Sequence, residues 1–168
     1  KEQQKKSELL NTLPSTFSNV FVDTKGTAYS TCMGTGNDLL KKHSTNGTNM
    51  LGDVKTSSAL TDVTANKDGI IYASDSHGMI WVYTRQGEVI FQLGAEAADK
   101  DISGLFTSLT TIAVDNSGNI WTADGEKGYL QSFTPTEYAT TIFKALKEYE
   151  NGDYKEALTD WNYVLRLN

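Results

Sequence analysis

Apolar and polar residues alternate along most of the chain with the period of a β-strand, and three stretches repeat that alternation around the same kind of turn. They run from Asn19 to Tyr29, from Asp62 to Tyr72 and from Thr111 to Trp121. Each reads as a short strand, a tight turn closing on Gly26, Gly69 or Gly118, and a second strand with an aromatic three residues beyond that glycine. Glycine adopts positive φ without a Cβ clash, and the Asp or Asn that opens the turn (Asp23, Asn66, Asp115) hydrogen-bonds its own backbone. The flanking β-branched and aromatic residues suit a pleated sheet. The three glycines are spaced by 43 and 49 residues. A unit of roughly 40–50 residues with four strands is the size of one propeller blade.

A second hairpin is expected in the first two units. In the second unit it runs from Met79 to Tyr83, turns through Thr84–Gly87 and returns from Glu88 to Leu93. In the first it runs from Asp38 to Lys42, turns through Asn46-Gly47 and returns from Asn49 to Leu51. In the third unit a strand over Tyr129–Phe133 is followed by Thr134-Pro135-Thr136-Glu137, where the period changes to that of a helix, so this unit lacks an outer strand. Ile142, Ala145, Leu146 and Tyr149 line one helix, with Thr136 as its N-cap and Asn151-Gly152 as its C-terminal signal. Tyr154, Ala157, Leu158, Trp161, Val164 and Leu165 line a second. The expected fold is therefore mainly β: three consecutive blades of a β-propeller followed by a C-terminal α-helical hairpin. The expected boundaries are an entry segment or linker over 1–13, blades over about 14–56, 57–104 and 105–135, and the helical pair over 136–168.

Composition narrows the function classes. The 168 residues are 38% hydrophobic, as in a globular protein, and no apolar run approaches the roughly 18 residues that span a bilayer. The formal net charge is −6 with scattered basic residues, which argues against a nucleic-acid partner. Lys1–Lys6 has no signal-peptide pattern, and the absence of an initiator Met suggests a piece of a longer protein. The single cysteine, Cys32, reads as a small buried hydrophobe, and His43 and His77 stand apart from any nucleophile motif. Gly34-Thr35-Gly36 reads as a turn. Tyr29, Tyr72 and Trp121 occupy equivalent positions and are expected to pack between adjacent sheets. Trp81, Tyr83 and Tyr129, on third strands, and Trp161, on the second helix, are the candidates for an interaction surface.

With those residues in place, the units resemble NHL repeats. Ile112 to Asp124 and Val63 to Asp75 follow the pattern, whereas Asn19 to Cys32 departs by ending on Cys32 instead of Asp. Ala145, Gly152-Asp153-Tyr154, Ala157 and Trp161 resemble a tetratricopeptide repeat. The whole chain resembles a group of Gram-positive extracytoplasmic proteins that join the two modules and are associated with ABC transporters. The carrying segments are Lys1-Glu2-Gln3, Leu13 to Phe17, Phe133 to Tyr138, Gly152 to Ala157 and Trp161 to Asn168. That resemblance implies a six-bladed NHL-type propeller and a longer membrane-anchored parent. A repeat architecture with no catalytic constellation points to a non-catalytic binding or scaffold role toward a protein partner, such as a membrane transport complex. No cofactor and no insertion of this segment into the membrane are expected. One alternative is a carbohydrate-binding module. Another is a metal-dependent lactonase-like hydrolase, since related propellers hold a divalent cation in the channel. Asp75 and Asp124, at equivalent strand ends, are its candidate ligands, against the simpler reading that they brace loops. Three blades leave two sheet faces bare, so two half-rings are expected to associate as a homodimer.

Overall fold

The computed structural model describes residues 16–34 and 38–167. The expected entry segment 1–13 and the tip of the Gly34-Thr35-Gly36 turn lie outside the described residues. Strands β1 (Thr16–Val22), β2 (Ala28–Met33) and β3 (Leu40–His43) form one antiparallel sheet in that order. A second sheet holds β4 (Leu60–Ala65), β5 (Ile71–Asp75), β6 (Ile80–Tyr83) and β7 (Val89–Leu93). A short parallel pair, β8 (Ala95–Glu96) with β9 (Leu105–Phe106), leads into a third sheet of β10 (Leu109–Val114), β11 (Ile120–Asp124) and β12 (Tyr129–Phe133). Helices α1 (Glu137–Asn151) and α2 (Tyr154–Leu167) complete the chain. The Thr136 hydroxyl caps α1 by accepting from the Ala139 N–H at 3.3 Å, and Gly152 ends it at φ +88°.

The three sheets are the expected blades, with β1, β4 and β10 innermost and side by side. The third blade stops at three strands, as the change of period at Pro135 predicts. The first differs from expectation. Its fourth strand is reduced to a single bridge between His43 and Asn49. Beyond Asn49 the chain leaves the sheet, and Leu51 and Val54 are buried between the first two blades, against Gly87. A Cβ at Gly87 would lie 2.9 Å from the Val54 side chain, so the glycine makes room for this inward turn.

Each inner strand carries a register shift at the same place, between Phe17 and Asn19, Leu60 and Asp62, and Leu109 and Thr111. The bulges aim three equivalent polar side chains, Asn19, Asp62 and Thr111, along one row near the axis. Asp62 is buried. Its Oδ1 accepts from the Asn19 side-chain amide and, at 2.7 Å, from the Val63 N–H. Its Oδ2 accepts from the Thr111 hydroxyl and, at 2.9 Å, from the Ile112 N–H. One carboxylate thus links all three blades.

Two apolar cores fill the spaces between blades. Tyr29, Leu40, Leu60, Val63 and Ile71 lie between the first and second. Tyr72, Ile80, Val82, Leu109 and Ile112 lie between the second and third, joined by Phe143 and Leu146 of α1. Each Leu or Ile fully buried there contributes about 1.5–3 kcal/mol.

Asp62→Ala leaves the buried Val63 and Ile112 N–H groups without their acceptor, besides the Asn19 and Thr111 donors nearer solvent, and such a loss costs about 3 kcal/mol or more. Urea unfolding should show at least that loss. Asp23→Ala, at an exposed turn, should lose about 1 kcal/mol, and equal losses for the two variants would refute the central role of Asp62.

Candidate functional site

Strand parity places the site. The turns between first and second strands (Asp23–Gly26, Asn66–Gly69 and Asp115–Gly118) all fall at one end of the blades. The third blade has an odd number of strands, so the chain leaves β12 at that same end and α1 crosses it. Phe143 stacks on Phe91 with ring centroids 5.9 Å apart. Arg85 and Gln86 each bind Glu150 at 3.1 Å, and Lys147 Nζ lies 2.8 Å from Asp68 Oδ1.

Between α1 and the three turns opens a cleft of about 530 Å³. Phe21, Tyr72, Val114 and Phe143 contribute apolar surface to it, and Lys25, Lys67, Asp68, Asp115, Lys144 and Lys147 contribute charge. The turns are stiff. Asp23 Oδ1 accepts from the Lys25 and Thr27 N–H groups, Asn66 Oδ1 from Asp68 and Ile70, and Asp115 Oδ1 from Ser117 and Asn119, all between 2.8 and 3.0 Å. Lys25 Nζ ties the first turn to the second through the Lys67 carbonyl at 3.2 Å. Burial holds the Tyr72 phenol protonated well above its usual range, against the opposing hydrogen bond from Asn66. The Asp115 carboxyl accepts from the Asn119 amide at 2.9 Å and from Trp121 Nε1 at 3.2 Å, and these bonds hold it down to about 2. The arrangement is a preformed groove with apolar surface and charges of both signs, suited to a peptide segment or another protein's side chains.

Asp75 and Asp124 lie at the opposite end of their blades, where second strands pass into third strands. Asp75 Oδ1 accepts from the His77 and Met79 N–H groups at 2.9 and 3.1 Å, and Oδ2 from Trp81 Nε1 at 3.0 Å. Asp124 accepts from four backbone N–H groups, those of Thr107, Ser108, Glu126 and Lys127. Burial works against its charge, but those donors prevail and hold it below the usual carboxylate range. Each therefore braces a loop. Among the described residues no group of three or more His, Cys, Asp or Glu is placed to hold a metal ion.

The candidate surface aromatics are dispersed. Tyr83 is wholly buried and donates to Thr56 Oγ1 at 2.9 Å, so its ring offers no contact surface here. Half-buried Trp81 stacks against it, with centroids 6.3 Å apart. Tyr129 is exposed on the third blade and donates to Asp101 at 3.1 Å. Trp161 is half-buried on α2. None of the four lines the cleft. Residue-type scanning missed Phe21, Phe143, Lys67 and Lys147. Counting strands could have found them, because an odd number puts the helix over the inner turns.

No family model matches the chain, and no curated protein matches it. Among solved structures, the computationally designed Ika4 protein aligns with a TM-score of 0.52 at 12% identity, over 71% of this chain and 66% of Ika4. The designed Ika8 protein gives 0.52 at 11% identity, over 70% of this chain and 33% of Ika8. The extracellular domain of BT4673 from B. thetaiotaomicron gives 0.50 at 14% identity, over 71% of this chain and 17% of that domain. The chain thus spans less than two thirds of each of these proteins. The likeness is one of fold and supports a propeller. Among the described residues no helix is long and apolar enough to cross a membrane.

The depressed pKa of Asp115 lets its carboxylate support the third turn above the ordinary carboxylate range, a contribution lost as pH falls toward about 2. Carboxyl-carbon NMR should find its midpoint near 2. Asn119→Ala, which removes the leading donor, should raise that midpoint, and an unchanged value would disprove the assignment.

Proposed function

We propose that this chain is a non-catalytic binding module whose docking site is the cleft between α1 and the three inner turns. The observation that carries the reading is that cleft: preformed, about 530 Å³, with apolar surface and charges of both signs. Recognition sites concentrate their energy in a few apolar anchors ringed by polar groups. Phe21 and Phe143 supply the anchors here, and Lys25, Lys67 and Lys147 the ring.

The partner in this reading is a protein of the cell envelope, such as a component of a membrane transport complex. The resemblance of the chain to extracytoplasmic proteins joining NHL blades to tetratricopeptide repeats supports this, as does the Ala145, Gly152 and Ala157 pattern of the helical pair. In that setting the parent protein is membrane-anchored and this segment lies outside the cytoplasm. Ala145 and Ala157 are both buried, and α1 and α2 pack together. Gly152 turns the chain between them at φ +88°.

The test is photo-crosslinking in envelope preparations of the native host. A photoreactive residue at Lys67, on the cleft, should capture a protein of a transport complex, and the same residue at Lys155, on α2, should not. Phe21→Ala combined with Lys25→Glu should lower the yield at Lys67 at least about tenfold, the scale of losing one anchor. Equal capture from both positions, or none from Lys67, would refute the cleft as the docking site.

A further inference from the structure

Hydrogen-bonding groups around the cleft are unequally spent. Its carboxylates already serve their own turns or a neighbour. Asp23 Oδ1 accepts from the Lys25 and Thr27 N–H groups, both at 2.8 Å. Both oxygens of Asp115 are engaged, Oδ1 by the Ser117 and Asn119 N–H groups and Oδ2 by the Asn119 amide and the Trp121 indole. Asp23 and Asp115 keep their charge, and the N–H groups of their turns offset part of it. Asp68 Oδ1 pairs with Lys147 Nζ at 2.8 Å. On α1, Lys144 bridges to Glu148 at 3.4 Å and to Asp160 of α2 at 2.8 Å, so its charge is matched within the helical pair.

Lys25 and Lys67 are different. Both are exposed and line the cleft, one from the first turn and one from the second. Lys25 Nζ donates to the neutral Lys67 carbonyl at 3.2 Å and pairs with no carboxylate among the described residues. The Lys67 ammonium has no partner among the described residues. An ammonium carries three donors and no acceptor, so most donors of these two side chains are unused. The same cleft presents half-buried Phe21, Val114 and Phe143. It therefore offers donors beside apolar surface, while its carboxylate acceptors are largely taken.

We propose that the segment the cleft accepts is acidic: an aliphatic or aromatic side chain seated on Phe21, Val114 and Phe143, flanked by Asp or Glu carboxylates that pair with Lys25 and Lys67. This inference rests on the reading of the cleft as the docking site and adds the chemistry of its occupant. Hydrogen bonds from an ammonium to a carboxylate are roughly twice as strong as neutral ones, so carboxylates are favoured over main-chain carbonyls at these two positions. Lysines on separate turns call for two carboxylates, which side chains within a segment supply and a single chain terminus does not. A basic segment meets carboxylate oxygens that are already occupied. The net charge of −6 disfavours an acidic partner at long range. Exposed charges farther apart than about 8 Å are screened at physiological salt, so the groups lining the cleft govern the contact.

Random peptides displayed on phage and selected on the whole chain supply the probes. Enriched sequences are synthesised with amidated C-termini, and fluorescence anisotropy reads their affinity. They should place Asp or Glu within a few residues of Leu, Ile, Phe or Trp. Ser117→Trp, which fills the cleft from the exposed third turn, should abolish their binding. Lys25→Glu and Lys67→Glu should each weaken it about tenfold, because reversal replaces an attraction with a repulsion. The double variant should instead bind the twin peptide whose Asp and Glu are replaced by Lys, and that gain also shows that the variant is folded. Peptides that Ser117→Trp blocks but that are basic or uncharged, or that ignore both lysine reversals, would overturn the acidic occupant and leave the cleft standing as a docking site. Peptides indifferent to Ser117→Trp, or no enrichment at all, would overturn both.

Discussion

A carboxylate offers only acceptors, and Asp62 sits where the inner strands on either side both aim donors at it. Asn19 approaches from the first blade, and Thr111 with the Ile112 N–H approaches from the third. Apolar cores alone would let the sheets slide over one another, because packing of aliphatic side chains is weakly directional. The hydrogen bonds to Asp62 define one register between blades. They depend in turn on the bulge that precedes Asn19, Asp62 and Thr111, which sets these side chains in one row. Removing a single acceptor therefore acts on two interfaces at once.

The helical pair depends on that arrangement. Its ion pairs with the blades, Arg85–Glu150 and Lys147–Asp68, are largely exposed, and such pairs are worth about 0–1 kcal/mol each. The Phe91–Phe143 contact and the burial of Leu146 beside the second core contribute more, since aromatic and aliphatic burial runs to about 1.5–3 kcal/mol per side chain. Hydrophobic contact thus sets where α1 lies, and the charges refine its orientation. The cleft is the space left between a helix held by Phe143 and Leu146 and three turns stiffened by Asp23, Asn66 and Asp115. On α2, Ala157 and Val164 face inward, while Tyr154, Leu158 and Leu165 of the same apolar stripe are exposed.

Much of this was legible beforehand because it is local. The Gly26, Gly69 and Gly118 turns, the hairpins of the second blade, the missing outer strand after Phe133 and the Thr136 and Gly152 caps follow from residues within a few positions of one another. The fourth strand of the first blade was misread because Met50 and Leu51 have strand character, whereas the space beside Gly87 draws Leu51 and Val54 inward. The same limit applies to the aromatics. Tyr83 and Tyr129 look alike in sequence, yet one is wholly buried between two blades and the other stays exposed beside Asp101. The cleft residues Phe21, Lys67, Asp115 and Phe143 come from four separate segments, and no spacing rule connects them.

By itself, the sequence determined the strands of the repeated hairpins, their turns, the number of blades and the two helices, because hydrophobic period, glycine geometry and capping act over a few residues. It did not determine the fate of the first blade's outer segment or the short β8–β9 pair. The tertiary structure decided which equivalent positions are buried, which carboxylates brace loops and where α1 meets the turns. Those outcomes depend on contacts between residues tens of positions apart, whose closure is settled by packing and by hydrogen bonds across blades rather than by local preference.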